Sequence, residues 1–248
     1  MHEYPPNSQL LKDRVILVTG AGSGIGQAVS LACAAHGATV ILLGPVQREL
    51  EEVYDQIEEA GGPTPAVFVM NLETAEEIEF EGLAATLGQE FQRLDGLLHN
   101  AAILPFLSRF DDFELQAWEQ IMRVNLTAPY LLTRACLPLL RESQDASVVF
   151  TSDAVGRHGK AYWNAYGVSK FGLEGMMQIL ADELEGSKIR VNSLDPGAVR
   201  TNMRARVYPG TDPRDWPEPA AVTGTYLYLL GPDSQGVTGQ ALNAQEDG

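Results

Sequence analysis

The strongest constraint on the fold is an alternation. Short apolar runs recur along the chain, and a longer amphipathic stretch follows each of the first six. The runs are "RVILVT" (14–19), "ATVILL" (38–43), "PAVFVM" (65–70), "DGLLHN" (95–100), "ASVVFT" (146–151), "IRVNSL" (189–194) and a weaker "QALNA" (240–244). Helical patterns lie between them at about 25–36, 46–60, 75–93, 113–141, 163–186 and 215–230. A strand that is apolar on nearly every residue buries both faces. A helix between successive strands supplies the cover and makes the parallel crossover. The pattern therefore predicts a three-layer α/β architecture: one doubly wound, parallel, seven-stranded sheet in a single domain spanning residues 1–248. No linker, repeat or low-complexity segment interrupts it. The proline-rich stretch "YPGTDPRDWPEP" (208–219) breaks the rhythm. It predicts a loop, about 202–218, over the carboxyl edge of the sheet, where ligands sit in such folds.

Charge narrows the partners. The formal net charge is −16, which repels nucleic-acid phosphates and anionic lipid heads, so neither nucleic acid nor membrane is expected as a partner. A small anionic ligand in a local cationic cleft stays compatible. Acidic runs such as Glu49, Glu51 and Glu52 read as the solvated faces of helices. Cys33 and Cys136 stand far apart inside apolar helical patterns, with no metal-ligand spacing or redox pair, and read as two buried thiols. No metal is expected. The first residues lack a basic-then-apolar leader and no apolar run reaches membrane-spanning length, which makes the cytoplasm the expected location.

The first strand runs into "VTGAGSGIGQAV", and a helix opens there. Gly20, Gly24 and Gly26 let the turn form and let a pyrophosphate approach backbone N–H groups at a helix N-terminus. Ser23 and Ile25 lie in the same turn. In a chain that alternates strand and helix throughout, such a turn points to a dinucleotide in a Rossmann fold.

These segments together resemble the short-chain dehydrogenase/reductase family. "TGAGSGIG" (19–26) resembles its cofactor fingerprint and "HNAA" (99–102) its N-N-A-G turn. "VNLTAP" (124–129) resembles the segment bearing its structural asparagine. "YGVSK" (166–170) resembles its Tyr-x-x-x-Lys, and "DPGAVRT" (195–201) its P-G-x-x-x-T. Around the Tyr-x-x-x-Lys the likeness is to the bacterial YciK group of the family. The resemblance implies cofactor pyrophosphate at Gly20, Gly24 and Gly26, adenine at Asn71 and Leu72, and adenosine ribose at Asn100 and Ala101. It implies the nicotinamide at Pro196, Gly197 and Thr201, and a homodimer or homotetramer built through helices 113–141 and 163–186.

A tyrosine four residues ahead of a lysine puts both side chains on one helix face, a spacing shared by ordinary surface pairs. The chemistry of carbonyl reduction gives the pair a use: the alkoxide formed by hydride addition needs a proton, and a nearby ammonium is expected to lower the pKa of Tyr166 toward working pH. In the family the lysine, here Lys170, also holds the nicotinamide ribose. The asparagine, here Asn125, positions a water behind it.

The family's serine stands thirteen positions before the tyrosine, and that position here is Asp153. An ionised carboxylate donates no hydrogen bond and repels an alkoxide. Three readings stay open: Ser152 takes the role through a backbone shift; burial holds Asp153 protonated so that it donates; or reduction is weakened or redirected.

The end of strand two carries Gly44 where NAD users of the family commonly have an acid, and Pro45 where NADP users often have arginine. The missing acid leaves room for a 2′-phosphate, and Arg48 stands within reach of it or simply in solvent. The cofactor expectation is NADP or NAD, leaning to NADP. The substrate expected is a small carbonyl or alcohol. Arg157, His158, Tyr162 and Trp163 are expected near its mouth, and Arg204, Arg206 and Arg214 either favour an acidic substrate or offset local charge. The rival to an oxidoreductase is a nucleotide-binding sensor or interaction protein with impaired catalysis, the reading Asp153 favours.

Overall fold

The computed structural model describes Tyr4 and residues 6–245. Seven parallel strands form one sheet: β1 (Val15–Thr19), β2 (Thr39–Gly44), β3 (Ala66–Val69), β4 (Gly96–His99), β5 (Ala146–Thr151), β6 (Ile189–Asp195) and β7 (Ala241–Asn243). Their order is β3-β2-β1-β4-β5-β6-β7, the doubly wound arrangement the alternation predicts. The order reverses between β1 and β4, so the carboxyl ends of these two strands flank a crevice.

Strands β1 to β6 each feed two cores. In β1, Val15 and Leu17 face one layer and Ile16 and Val18 the other; in β2, Ile41 and Leu43 oppose Val40 and Leu42. This is the period-two alternation of a strand with apolar residues on both faces. Helices α1 (Gly24–Ala35) and α2 (Gln47–Glu59) cover one side, together with the late helix Thr223–Leu230. Helix α3 (Glu77–Phe91) covers the other side with two helices described next. Each fully buried Leu or Ile in these layers contributes about 1.5–3 kcal/mol. Cys33 and Cys136 are both buried within them, and burial pushes each thiol pKa up to about 12. Among the described residues no helix is long and apolar enough to cross a membrane.

Three segments differ from the sequence reading. Of the helical pattern at 215–230 only Thr223–Leu230 is α-helix, preceded by 3₁₀ turns at Pro213–Asp215 and Pro219–Val222, where Pro217 and Pro219 interrupt the ladder. The stretch 113–141 is not one helix. It divides into α4 (Leu115–Met122), a wider π turn at Arg123–Thr127, and α5 (Ala128–Glu142). Pro129 has no N–H to give the carbonyl four residues back, which belongs to Asn125, so the α-helical ladder fails there. The segment 202–218 is not all loop either. A short helix, α7 (Asn202–Val207), starts it, capped by the Thr201 hydroxyl accepting from the Arg204 N–H at 3.2 Å. The long helix α6 (Asn164–Glu183) then crosses the π turn closely: a Cβ at Gly172 would stand 2.7 Å from Leu126.

Candidate active site

The carboxyl ends of the central strands open into a cavity of about 510 Å³. Gly20, Ser23, Gly24 and Ile25 enter its wall from the turn after β1. Asn71 and Leu72 follow β3, and Asn100 and Ala101 follow β4. Ser152 and Asp153 come from the end of β5 and Tyr166 and Lys170 from α6. Pro196, Gly197 and Thr201 come from the segment after β6. Chain positions more than a hundred residues apart therefore meet at one sheet edge.

Gly20 and Gly24 have φ of +66° and +56°, a region that favours glycine. Gly26 stands outside the lining. A Cβ there would fall 2.1 Å from the Gly20 carbonyl oxygen, so its role is the contact of helix with turn. Thr19, which sequence reasoning passed over, fixes the opposite wall: its hydroxyl accepts from the N–H groups of Asn100 and Ala101, each at 3.0 Å.

Gly44 and Arg48 also fall outside the lining. A Cβ on Gly44 would press on Leu50 at 3.2 Å, so packing of α2 accounts for a glycine where an acid was looked for. Arg48 is 80% exposed and turns to Glu52 at 3.5 Å. Its suggested reach to a 2′-phosphate has no support in this geometry. Asn71 spends its side-chain oxygen on the Glu73 N–H at 3.0 Å.

Asn125 is buried in the π turn, outside the cavity lining. Its side chain accepts from Ile103 N–H at 2.8 Å and donates to the Ile103 carbonyl at 3.0 Å and to Ser169 Oγ at 3.3 Å. It ties the loop after β4 to α6 one residue from Lys170. Gly156 has a matching purpose: a Cβ there would lie 2.8 Å from Lys170 Cβ, so only glycine lets the turn after β5 rest on α6 at the lysine.

Lys170 is buried, donates to the Thr151 carbonyl at 2.7 Å, and lies 5.4 Å from the centre of the Tyr166 ring. Burial lowers its pKa to about 8, against the opposing pull of Asp153, Asp195 and Glu174. Tyr166 is also buried. Its hydroxyl donates to Asp153 Oδ2 at 3.2 Å, while Asp153 Oδ1 accepts from Val155 N–H at 3.0 Å. The expected lowering of the Tyr166 pKa is reversed. Burial raises it well above its ordinary value, Asp153 raises it further by charge and hydrogen bond, and Asp195 adds to this; Arg204 opposes them. An ammonium on the same helix face does not offset lost hydration and two facing carboxylates.

Ser152 does not stand in for the missing serine. In the extended backbone it points opposite to Asp153, and its hydroxyl donates to Glu174 Oε1 at 2.6 Å. Glu174 also accepts from Ser193 Oγ at 2.6 Å and from Arg157 Nε at 3.0 Å. Glu174 was missed in the sequence, although it continues the 166–170 spacing by one more turn. Arg157 is not at the mouth: its guanidinium turns to β7, donating to Asn243 Oδ1 at 2.5 Å and to the Leu242 carbonyl at 3.0 Å. His158 and Tyr162 lie outside the lining, while Trp163 lines it together with Met203, Val207 and Tyr208.

A seven-stranded doubly wound sheet, a glycine turn at its switch point and Tyr166 beside Lys170 are the features by which the short-chain oxidoreductases are grouped. The family model for short chain dehydrogenases matches residues 14–212, and the chain belongs to that family. It is similar to the uncharacterized oxidoreductase YciK of Escherichia coli K12, at 45% identity over 99% of this chain and 96% of the relative. A Pseudomonas syringae structure superposes with TM-score 0.97 at 54% identity, covering 99% of this chain and 100% of that one. A structure from Escherichia coli CFT073 complexed with NADPH superposes with TM-score 0.95 at 44% identity, covering 97% and 100%.

Proposed function

We propose that the protein is an NADP(H)-preferring oxidoreductase that interconverts a small carbonyl compound and its alcohol, with Tyr166 as the proton donor and acceptor. The observation that carries this reading is the Tyr166 hydroxyl and the Lys170 ammonium in one cavity with the glycine turn. The turn suits a dinucleotide: Gly20 and Gly24 hold positive φ, and a Cβ on Gly20 would stand 3.0 Å from Ala101 Cα, so glycine lets the turn close on the segment after β4 and present the N-terminus of α1 to the cavity. In this reading Gly20, Ser23, Gly24 and Ile25 hold the pyrophosphate, and Asn71 and Leu72 the adenine. Asn100 and Ala101 flank the adenosine ribose, Lys170 holds the nicotinamide ribose, and Pro196, Gly197 and Thr201 flank the nicotinamide. When bound, the nicotinamide supplies or accepts the hydride. The lean to NADP rests on the missing acid at Gly44 and on the NADPH-bound relative.

A phenol with a raised pKa is protonated at neutral pH and so stands ready to donate to an alkoxide.

Titration calorimetry with NADPH and NADH is expected to give micromolar-range binding, tighter for NADPH. No heat from either at millimolar concentration would remove the reading.

The lysine adds a pH signature. Below about pH 8 Lys170 is charged; above it the ammonium is lost. NADPH affinity is expected to fall as pH rises through 8, in a limb absent from Lys170→Met. A flat profile from pH 7 to 9 would show that this amine does not hold the cofactor.

A second reading has one observation behind it: Asp153 holds the Tyr166 proton. A protein that binds NADPH but oxidises none with any of a broad carbonyl panel would be a nucleotide-binding sensor on the same fold.

A further inference from the structure

We propose that Arg204 is the recognition residue for an anionic group on the substrate, so that this site takes carboxylate-bearing carbonyl compounds. This rests on the reading of the cavity as an oxidoreductase site. Arg204 stands in the cavity wall. Its guanidinium lies against a pair of rings that pack edge-on, 4.6 Å from the centre of Tyr208 and 5.3 Å from that of Trp216. Such stacking fixes the position of the group. It leaves in-plane N–H donors unused, and a guanidinium has five. Among the described residues Arg204 has no ion pair and its side chain no hydrogen bond, and its Nε is buried without a partner. Arg200 also has a buried Nε without a partner, but it pairs with Glu218 at 2.8 Å; Arg214 pairs with Asp212 at 2.7 Å; Arg206 has no ion pair among the described residues but lies outside the cavity lining. In a chain of net charge −16, a held cation without a carboxylate is set apart from its surroundings, and a partly buried donor fork favours an anion that completes it.

Two anions reach this cavity in principle, the cofactor's pyrophosphate and a charged group of the substrate. The geometry favours the substrate. Thr201 is the residue next to the glycine turn, since a Cβ on Gly24 would lie 3.3 Å from Thr201 Cγ2. Arg204 stands almost one helical turn further on, where its charge is felt at the Tyr166 hydroxyl. Apolar side chains of Trp163, Met203 and Val207 line the space with it. Asp153 adds polarity to the site. A substrate with a carboxylate at one end is drawn by that end to Arg204 and repelled from Asp153, which leaves its neutral carbonyl end at Tyr166.

The test is a titration of the full chain followed by tryptophan fluorescence, since Trp163 and Trp216 flank the site. The probes are phenylglyoxylate, 3-oxohexanoate and the methyl ester of each, applied to wild type, Arg204→Lys and Arg204→Met. Wild type is expected to bind the acids at least ~10-fold more tightly than their esters, about the worth of one charge-assisted pair. Arg204→Met is expected to bring acid and ester within about twofold. Arg204→Lys keeps the charge without the planar fork and is expected to fall between. Equal binding of acid and ester by wild type, including no binding of either, overturns the proposal; so does a preference that survives Arg204→Met. NADPH calorimetry on the same proteins separates the sources. A tenfold loss of NADPH affinity in Arg204→Met with the acid preference intact assigns the guanidinium to the cofactor and also overturns it. Failure of wild type to bind NADPH strikes the proposed function, while the acid–ester comparison still decides the role of Arg204.

Discussion

Tyr166→Phe is expected to lower carbonyl-reductase turnover by about a thousandfold, within the range of a lost general acid, while leaving NADPH affinity within a factor of about two. The two measurements separate because the ring and the hydroxyl do different things. The ring packs near Trp163, with centres 5.6 Å apart, and phenylalanine keeps that contact. The hydroxyl's hydrogen bond, to Asp153, is what the substitution removes. Losing it also frees Asp153 from a donor, so some weakening of local structure is expected, detectable as a small change in melting temperature. Steady-state NADPH oxidation beside calorimetry reads both quantities. Equal turnover by the two proteins would place the proton transfer elsewhere.

Asp153→Ser is expected to change activity in the opposite direction. Serine removes a negative charge from beside the developing alkoxide and puts a donor there. One well-placed donor to an oxyanion is worth roughly 3 kcal/mol, or about a hundredfold in rate. Ser152 does not dilute the gain, because its hydroxyl is held by Glu174. The substitution also removes the second-largest cause of the raised Tyr166 pKa, so the phenol should ionise at lower pH and the oxidative direction should improve as well. If instead Asp153 works as a donor to the substrate, the variant is slower. The ratio of kcat/KM for the two proteins decides between them. A serine variant slower at every pH would make Asp153 a working part of the site.

Much of this molecule was legible in the order of its residues. The first six strands lie within a residue or two of their apolar runs because burial on both faces demands such runs. Even the three-residue β7 was visible, though weakly. The glycine turn and the Tyr166–Lys170 spacing were legible because each is local. What was not legible depends on neighbours distant in the chain. Spacing puts Lys170 beside Tyr166 but does not reveal that Asp153 and Asp195 face the same phenol, and those carboxylates with burial reverse the expected pKa shift. Arg157 sits next to the presumed mouth in sequence, yet its partners are on the last strand. The π turn had an unread local sign, a proline four residues after Asn125. The short helix after Thr201 had none strong enough to emerge from a proline-rich segment.

Glu174 ties the last strand to the chemistry at the end of β5. Its carboxylate gathers Ser152 from the end of β5, Ser193 from β6 and Arg157, and Arg157 in turn grips β7. The helix that carries Tyr166 and Lys170 is thereby fastened to the far edge of the sheet by charge as well as by apolar contact. A buried carboxylate with three donors is tightly specified: removing one donor leaves a charge less well satisfied rather than a small void. The spacing between the phenol and the end of β5 is thus a property of the chain as far as Asn243. A fragment that kept every recognisable motif but ended before the seventh strand would retain Glu174 and its three donors, yet Arg157 would lose the partners on β7 that hold it in place.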